Sequence, residues 1–505
     1  MFAAVSSATL LGVEGHRVTV EVHVSVGLPC FTIVGLPDEV CRESRDRVRA
    51  AVMSSGFPWP TKKVTVNLAP SNQRKVGGGL DLAIAIGLLI ADEFIPPGAT
   101  EKFGFIAELG LDGSLRPVAG VAPLVAALDD VHPVVAVGSR HEAEVISSES
   151  VFVGHTLRDV VEALKGEAPW PTPAQDTMAE PLAPLPDLAD VRGQPLARQA
   201  LEVAAAGGHH VLFVGPPGSG KTMLAQRMPG LLPPLSPSTS LTATMVHSAA
   251  GVKLPPGGLI TRAPYRAPHH TSSIVALVGG GTSSLRPGEI SLAHGGILFL
   301  DELGEFSPSV LDGLRQPLEE GVIRVARARA SATLPAQFLL VAATNPCPCG
   351  GGAPGSCACD DGARARYLRR LSGPLLDRFD LRVPVHRPEV DELLAGAPGE
   401  PSAVVAARIA LARQSAIQRF GSLNAGIPAP LLDSLAPLSP AAQKLLRTEL
   451  ERDRLTGRGY HRVRRVARTI ADLDPLAGEI VGEEHVVMAL QFRVRLSPLL
   501  GGRAT

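Results

Sequence analysis

Aromatic residues are scarce in this chain of 505 residues, at 4% of the composition. A surface of stacking platforms for single-stranded nucleic acid is therefore not expected. An excess of charge of one sign is also missing, because 48 lysines and arginines balance 49 aspartates and glutamates, for a net charge of −1. A basic surface over the whole molecule is thereby excluded. Any contact with nucleic acid must be local, for instance on the inside of a ring.

Long hydrophobic runs are missing as well. The longest lies near residues 82–90 and is bounded by Asp81 and Asp92, whereas a membrane span needs about 20 apolar residues. The first residues carry no basic stretch ahead of an apolar one, so no signal peptide is predicted. With only six cysteines, the chain lacks a disulfide framework. We predict a cytoplasmic protein without membrane contact.

The chain is too long for one domain. In residues 1–165, valines alternate with polar residues from Val18 to Val26, and helical spacing follows at 81–89, which predicts an α/β domain. Six prolines between positions 169 and 186 predict an extended linker over 166–189.

The pattern of predicted strands and helices changes after residue 190. Residues 190–388 alternate short apolar strands with helical stretches, a pattern typical of a parallel sheet flanked by helices. From 389 to 505 the pattern is helical, with Val463, Val466 and Ile470 on one face. The sequence thus predicts an α/β protein with a helical C-terminal lid.

A glycine-rich segment at residues 215–222 matches the pattern GxxxxGK[ST] between a predicted strand and a predicted helix. Its glycines let backbone N–H groups turn toward phosphates, and the helix N-terminus adds its dipole. We expect Lys221 to reach the β- and γ-phosphates of ATP and Thr222 to hold Mg²⁺. The predicted nucleotide-binding residues of this loop are Gly215, Pro216, Pro217, Gly218, Ser219, Gly220, Lys221 and Thr222.

Polar residues follow two further predicted strands. Asp301 and Glu302 come directly after four apolar residues, at the strand end where α/β sheets place ligands. We expect Asp301 to hold Mg²⁺ through water and Glu302 to polarise the attacking water; the plainer alternative is a helix N-cap. Asn345 follows the strand at 338–343 and can sense the γ-phosphate, or form a turn before Pro346.

Four of the cysteines lie within thirteen residues, at 347–359. Cys347, Cys349, Cys357 and Cys359 satisfy the tetrahedral count of a structural Zn²⁺ site, and the glycines between them let the chain wrap around an ion. Because C-x-C is tighter than the common C-x₂-C, a redox pair, free thiols or an iron–sulfur cluster remain alternatives. The other two, Cys30 and Cys41, are expected to be small buried residues.

Together these segments resemble an AAA+ ATPase, in the order DVRGQ, GPPGSGKT, GILFLDEL, VAATNP and LLDRFD before a helical lid. The stretches YRAPHHTSS, RPGEISLAHGG and VARTIADL make the chain similar to the magnesium-chelatase-like ATPases of the ComM/YifB family, over essentially its whole length. The resemblance implies a hexameric motor and, for the ComM branch, a branch-migration helicase acting on DNA during natural transformation.

The resemblance also implies roles for single residues. Asn345 corresponds to sensor 1, and Arg378 to an arginine finger acting in trans, although Arg378 could instead pair with Asp377 or Asp380 on a surface. Arg458 is the best match to sensor 2, with Arg462 as a rival; a plain surface charge is the alternative for Arg458.

The resemblance further implies that Val191 and Gly193, which precede the phosphate loop in the chain, line the adenine pocket.

The first 165 residues resemble the Lon-protease-like domain that such ATPases carry ahead of the motor. A peptidase of that type needs a nucleophilic serine and an activating lysine. The glycine-rich turn at 76–81 contains no serine, and the segment 117–122 contains no lysine. Ser71 and Lys75 lie close to each other in the chain only. We therefore predict a non-proteolytic scaffold or interaction module.

A predicted hairpin strand after residue 321 carries Arg324, Arg327 and Arg329. In related motors a hairpin at this point projects into the central channel, where six copies would form rings of positive charge that bind DNA phosphates. A solvated strand face is the alternative. His269 and His270 are expected to line the same channel or to form hydrogen bonds within a turn, rather than to bind metal.

The leading hypothesis is thus an ATP-driven, Mg²⁺-dependent homohexameric DNA translocase or branch-migration helicase. The alternative is a magnesium-chelatase-type ATPase that drives metal insertion or protein remodelling. A protease is disfavoured because the catalytic dyad is missing.

Overall fold

The computed structural model describes most of the chain, namely residues 1–172, 183–281, 285–327, 330–351, 357, 359–360, 362–363, 366–367, 371, 373–388 and 398–493. Among these residues, helices combining the length and the apolar character needed to cross a bilayer are not found. The seven-stranded sheet is mixed, the five-stranded sheet is parallel, and three two-stranded sheets are antiparallel. The C-terminal elements are helical, which confirms the predicted α/β class.

The first part of the chain contains nine strands, which in chain order are β1 Phe2–Leu11, β2 Glu14–Ser25, β3 Cys30–Val34, β4 Lys63–Ala69, β5 Phe103–Ile106, β6 Glu108–Leu109, β7 Leu115–Arg116, β8 His132–Ala136 and β9 Phe152–Gly154. Seven of them form a sheet in the order β3-β4-β2-β1-β5-β8-β9. The predicted alternation of buried valines is confirmed from Val18 to Val24. Val26 is exposed instead, because the strand ends at Ser25.

Five helices accompany this sheet: α1 Glu39–Ser54, α2 Asp81–Ala91, α3 Val121–Ala126, α4 Arg140–Ile146 and α5 Leu157–Lys165. Helix α2 is buried along its whole length, which explains its apolar sequence. The Lys75 side chain is buried and donates from Nζ to the carbonyl oxygens of Pro70 and Gln73, whereas Ser71 is exposed. These contacts give Lys75 a structural role, and the absence of peptidase chemistry stays a prediction.

The second part contains strands β10 Val211–Val214, β11 Tyr265–Arg266, β12 Gly279–Gly280, β13 Arg286–Pro287, β14 Ile297–Leu300, β15 Val322–Arg327, β16 Ala330–Pro335, β17 Leu339–Thr344 and β18 Leu381–Pro384. Five of these form a fully parallel sheet in the order β11-β14-β17-β10-β18. Because Val214 pairs with Thr344 and with Pro384, the carboxyl ends of β10, β17 and β18 meet at one edge.

Helices surround this parallel sheet and follow it: α6 Pro195–Gly207, α7 Lys221–Arg227, α8 Pro237–Ala250, α9 Ile274–Val278, α10 Glu289–Leu292, α11 Pro308–Gly313, α12 Arg315–Glu320, α13 Gly373–Leu376, α14 Ser402–Phe420, α15 Leu432–Leu435, α16 Pro440–Glu451, α17 Gly457–Leu473 and α18 Glu483–Gln491. The predicted amphipathic face of α17 is confirmed, because Val463, Val466 and Ile470 are buried in the same hydrophobic core as α6 and β10.

Candidate nucleotide-binding site

Three neighbouring parallel strands deliver the predicted site residues to one edge of the sheet. The phosphate loop follows β10, Asp301 and Glu302 follow β14, and Asn345 follows β17. The strand order β14-β17-β10 places these three strand ends side by side. The loop, the two acidic residues and Asn345 line a common cavity of about 460 Å³. The arrangement is the one in which α/β sheets bind ligands.

Lys221 connects the phosphate loop with the end of β17. Its Nζ donates to the carbonyl oxygens of Gly215 (2.8 Å) and Pro216 (2.9 Å) and to Oδ1 of Asn345 (3.2 Å). Burial lowers the pKa of the Lys221 ammonium, and the charges of Asp301 and Glu302 oppose that shift. Gly220 precedes α7 with a φ of +86°, which glycine adopts without strain.

Thr222 and Asp301 form the pair suited to a divalent cation. The Thr222 hydroxyl donates to Oδ2 of Asp301 at 2.6 Å, and Oδ1 of Asp301 accepts from the backbone N–H of Glu302 at 2.9 Å. A hydroxyl and a carboxylate side by side are oxygen ligands of the kind that Mg²⁺ prefers, with water completing its octahedral shell. These two residues therefore fit the predicted Mg²⁺ site.

Glu302 has a histidine neighbour that the sequence did not indicate. Its Oε2 lies 3.2 Å from Nδ1 of His270. Glu302 itself has a φ of +50°, in the left-handed region that non-glycine residues seldom occupy. His270 thus contacts Glu302, and its expected place at the channel or in a local turn stays a prediction. His269 does form a turn contact, from Nδ1 to the Thr271 hydroxyl at 2.8 Å.

Two further hydrogen bonds at the site were not predicted from the sequence. Gln194 donates from Nε2 to the carbonyl oxygen of Ser219 at 2.6 Å, so it supports the phosphate loop. The Tyr367 hydroxyl lies 2.9 Å from that of Thr344, the residue before Asn345. Gln194 is the last residue of the DVRGQ segment, whereas Tyr367 belongs to no pattern that marks such a role.

The two residues expected at the adenine are not among the described residues that line this cavity. Val191 is buried in the hydrophobic core, and its carbonyl oxygen accepts from Arg198 at 2.6 Å. Gly193 has a φ of +64° and directly precedes Gln194. Among the described residues that line the 460 Å³ cavity, neither Val191 nor Gly193 is included. Their place at a bound adenine stays a prediction.

Arg378 stands at the opposite edge of the parallel sheet. It precedes β18, whose first residue Leu381 pairs with Val211 at the start of β10, whereas the phosphate loop follows the end of β10. Four residues of strand separate the two edges by about 10 Å or more. Arg378 forms an ion pair with Glu319, and not with Asp377 or Asp380 as the surface alternative assumed.

Further arginines gather at that amino-terminal edge. The pKa of the Arg378 guanidinium is lowered by burial and then by the positive charges of Arg462, Arg458 and Arg315. Arg462 forms an ion pair with Asp380 at 2.8 Å. Arg458 is exposed at the start of α17. The two candidates for sensor 2 are therefore grouped with Arg378 and not with the phosphate loop of the same chain.

The four clustered cysteines do come together. Their sulfur atoms all lie within 4.8 Å of one another, with Sγ separations of 3.3 to 3.4 Å among Cys347, Cys349 and Cys357. These separations are too long for a disulfide of about 2.05 Å and near the roughly 3.8 Å expected for thiolates about 2.3 Å from a tetrahedral zinc. The residues present therefore fit Zn²⁺.

The remaining cysteines differ from each other. Cys41 is buried as expected, and its thiol donates to the carbonyl oxygen of Gly77 at 3.0 Å. Burial raises the pKa of the Cys41 thiol. The expectation for Cys30 is wrong, because Cys30 is exposed on β3, an edge strand of its sheet. An edge strand leaves such a position without a covering neighbour.

The predicted arginine hairpin is formed by β15 and β16. Ile323 and Val325 are buried, whereas Arg324 between them is exposed and forms an ion pair with Glu320. Arg327 pairs with Ala330 in the backbone ladder at the end of the hairpin. Arg329 lies outside the described residues.

Three family models match the chain. The models described as "Magnesium chelatase, subunit ChlI", "Subunit ChlI of Mg-chelatase" and "Magnesium chelatase, subunit ChlI C-terminal" match residues 187–410, 20–136 and 399–493. Together they reach from the first sheet to the last described helix.

Curated relatives match over nearly the full length. The uncharacterized protein Rv2897c of Mycobacterium tuberculosis is 46% identical, covering 96% of this chain and 97% of that protein. Competence protein ComM of Haemophilus influenzae is 42% identical (97% and 97%), and the uncharacterized protein YifB of Escherichia coli is 41% identical (97% and 96%). A weaker likeness, 26% over 175 residues, links 35% of this chain to 22% of the probable DNA helicase MCM9 of Arabidopsis thaliana.

The fold is that of an AAA+ ATPase core, and its family suggests ATPase activity. The resemblance inferred from the motifs is confirmed: the chain belongs to the magnesium chelatase ChlI family, among the proteins similar to ComM and YifB.

Proposed function

We propose that this protein is an ATP-hydrolysing ring motor, a hexameric DNA translocase or branch-migration helicase that acts in DNA uptake or recombination in the cytoplasm. One observation carries the proposal: the phosphate loop lies at the carboxyl edge of the parallel sheet, whereas Arg378 lies at the amino edge. A single subunit cannot bring both edges to one triphosphate. A neighbouring copy can supply the second edge, which requires a ring or a filament.

The chemistry follows from the residues of the cavity. The backbone N–H groups of the loop and the ammonium of Lys221 bind the phosphates. Thr222 and Asp301 would hold Mg²⁺, and the bound ion would supply positive charge against the charge that develops on the phosphoryl group. Glu302 accepts a proton from the attacking water, and Asn345 orients that water or senses the γ-phosphate. Arg378 and Arg458 of the adjacent subunit stabilise the negative charge of the transition state from across the subunit interface.

The parts of the chain divide this work. In this proposal residues 1–165 are a Lon-like module without peptidase activity, and residues 166–189 link it to the motor. Residues 190–388 form the ATPase core with the cysteine loop, and residues 389–505 form the lid that carries Arg458.

The names of two relatives and an exposed arginine favour DNA as the cargo. Two relatives bear names that point to DNA, a competence protein and a probable DNA helicase. The exposed Arg324 on the β15–β16 hairpin offers a positive charge in every copy of a ring. The net charge of the chain is only −1, so the molecule as a whole does not attract DNA strongly. A ring of such arginines would still create a local positive potential around its axis.

The hairpin is tested by removing its arginines. For Arg324→Ala with Arg327→Ala we expect the Kd for duplex DNA to rise at least about tenfold, because phosphate contacts are lost. The slope of log K against log salt should become shallower by about 0.9 for each lost contact. Fluorescence anisotropy at several salt concentrations measures both quantities.

The matched control for this test is Arg447→Ala, an exposed arginine of α16 that pairs with Glu451. It removes a surface charge of the lid and should leave the DNA affinity unchanged. Equal DNA affinity and equal salt slope in the hairpin variant and the wild type would show that the hairpin does not bind DNA.

A second candidate function rests on the family name itself. The models that match are those of a magnesium chelatase subunit, an ATPase that drives metal insertion. In that case the motor would remodel a protein partner, and DNA of any structure would leave its ATPase rate unchanged.

We further propose that the cysteine loop holds a structural Zn²⁺. The loop begins two residues after Asn345 and packs on the phosphate loop: a Cβ at Gly350 would lie 2.6 Å from Cδ of Pro217. A metal at this place would fix the backbone that follows sensor 1.

The purified protein is therefore expected to contain about one zinc per chain. Elemental analysis by mass spectrometry measures the metal, and Cys349→Ser should lower its content strongly, whereas Cys30→Ser, the exposed cysteine of β3, should not. Protein prepared without chelator that contains no metal would contradict the assignment. Iron accompanied by visible absorbance would favour a cluster instead.

A further inference from the structure

The turn between β1 and β2 is buried by the second part of the chain and not by its own sheet. Val13, one of its two residues, is only 6% exposed. It belongs to the hydrophobic cluster that contains Ile323, Val325 and Leu334 of the arginine hairpin, whereas the buried valines of β2 belong to a different cluster. Because turns normally run over the surface, this burial marks a contact between the two parts of the chain.

The backbone of the turn touches strand β16 of the arginine hairpin. Gly12 has a φ of +65°, and a Cβ at this position would lie 2.8 Å from Cβ of Ala332 and 3.3 Å from Cδ2 of Leu334. Since two carbon atoms pack best at about 3.5 to 4.0 Å, glycine is what lets the turn approach this closely. In the hairpin, Ala332 pairs with Val325 and Leu334 with Ile323. The turn therefore contacts the strand that is paired with the arginine-bearing β15.

This contact lies on the face of the hairpin opposite to the arginine. Side chains alternate between the two faces of a strand, so Ile323 and Val325 are buried and Arg324 between them is exposed. On β16 the same alternation buries Leu334 and exposes Thr333. The hairpin is a two-stranded sheet, and such a sheet is stable only when its apolar face is covered. What covers that face therefore holds Arg324 in its orientation.

A second contact joins the first domain, residues 1–165, to helix α8. The Gly120 N–H donates to the carbonyl oxygen of Ser248 at 2.9 Å, and the Ser248 hydroxyl donates to Oε1 of Glu142. The same oxygen of Glu142 accepts from the Ala122 N–H at 2.8 Å. Helix α8 also contributes apolar residues to the cluster that buries Val13. The first domain is thus joined to this cluster at two points, the turn and α8.

We propose that the first domain braces the arginine hairpin, with Val13 as the positioning residue, and holds the hairpin in the orientation that binds duplex DNA. This inference rests on the proposed role of the hairpin in DNA binding. The first domain contributes to DNA affinity without touching DNA, because its turn covers the apolar face of a hairpin whose other face carries the arginine. The role requires no peptidase chemistry.

The experiment introduces a charge at the contact. Val13→Asp places a carboxylate in an apolar cluster, where an unpaired charge is strongly disfavoured, so the turn should leave the hairpin. We expect the Kd for duplex DNA to rise about fivefold to tenfold and the salt slope to become shallower, because phosphate contacts are lost. The DNA-free kcat and the KM for ATP should each change less than about twofold, because the residues that line the nucleotide cavity are unaltered.

Three further variants separate bracing from a loss of folding. Val13→Ile keeps an apolar side chain in the turn and should retain the DNA affinity. Val26→Asp adds the same charge at a valine that is 97% exposed and should behave as the wild type. Val13→Asp added to Arg324→Ala with Arg327→Ala should cost no further affinity, because the brace acts only through the hairpin.

Amide hydrogen exchange tests the brace without DNA. In Val13→Asp the amides of β15 and β16 should exchange at least about tenfold faster, because the hairpin opens more often. The amides of β10 and β17, inside the parallel sheet, should keep the wild-type rate. Faster exchange in both places, together with a lower Tm, would show that Val13 serves the stability of the whole molecule and would overturn the brace.

The remaining outcomes are distinct. Unchanged exchange of the hairpin amides, or an unchanged Kd, in Val13→Asp would overturn the brace. So would an equal loss of affinity with and without the hairpin arginines, since the first domain would then act independently of them. A wild type that binds no DNA would refute the proposed function; faster hairpin exchange in Val13→Asp would then still support the brace, and unchanged exchange would overturn it.

Discussion

Glu302→Gln is expected to bind ATP with wild-type affinity and to hydrolyse it at least about 100-fold more slowly. The glutamine keeps the size and the hydrogen-bonding oxygen of the side chain and loses only the ability to accept a proton. The phosphate loop, Thr222 and Asp301 are untouched, so binding should persist. Equilibrium binding of a fluorescent ATP analogue and a phosphate-release assay measure the two quantities separately.

Two further variants serve as controls for this experiment. Lys221→Ala removes the ammonium that joins the loop to Asn345 and should weaken nucleotide binding itself. Glu305→Gln makes the same charge change three residues further on, at a side chain outside the residues that line the cavity, and should hydrolyse normally. Full hydrolysis by Glu302→Gln would show that another group activates the water.

Arg378→Ala is expected to lose hydrolysis by a factor of about 10³ or more, in the range measured for arginine fingers. The reason is geometric: Arg378 lies at the amino edge of the sheet, beyond the reach of the phosphate loop of its own chain. In the proposed ring, the Arg378 guanidinium serves the site of a neighbouring subunit. Mixing Arg378→Ala subunits with Lys221→Ala subunits should restore activity, because interfaces with an intact loop on one side and an intact finger on the other reappear.

The size of the rescue is also fixed by this geometry. In a random one-to-one mixture about a quarter of the interfaces contain both intact halves, so the rate should recover toward about a quarter of the wild-type value. Each variant alone must remain inactive and must still assemble, which size-exclusion chromatography with ATP checks. A mixture that stays at the background rate would mean that Arg378 acts within its own subunit or not at all.

The convergence of Lys221, Asp301 and Asn345 could be predicted from the sequence because parallel strands have a fixed consequence. When each of three polar residues follows a buried strand of one parallel sheet, their positions at a common edge are determined by the strand direction. The cysteine cluster could be predicted for a similar reason, since four ligands within thirteen residues need no long-range information to meet.

The contact between His270 and Glu302 could not be predicted, because it depends on long-range pairing. His270 reaches Glu302 only because β11, a strand of two residues, pairs with β14. A two-residue strand has no recognisable periodicity in sequence. The grouping of Arg458 with Arg378 likewise depends on how α17 packs against the sheet, which the local pattern of α17 does not contain.

The central claim is that this protein is an ATP-driven motor that acts on DNA. It is tested most directly by the steady-state ATP hydrolysis rate with and without four-way-junction DNA. The wild type is expected to hydrolyse ATP several-fold faster with the junction, and the gain should decline as salt is raised because the contacts are to phosphates. A rate that does not change with junction, forked or linear DNA at low salt would contradict the claim and leave the metal-insertion motor as the better account.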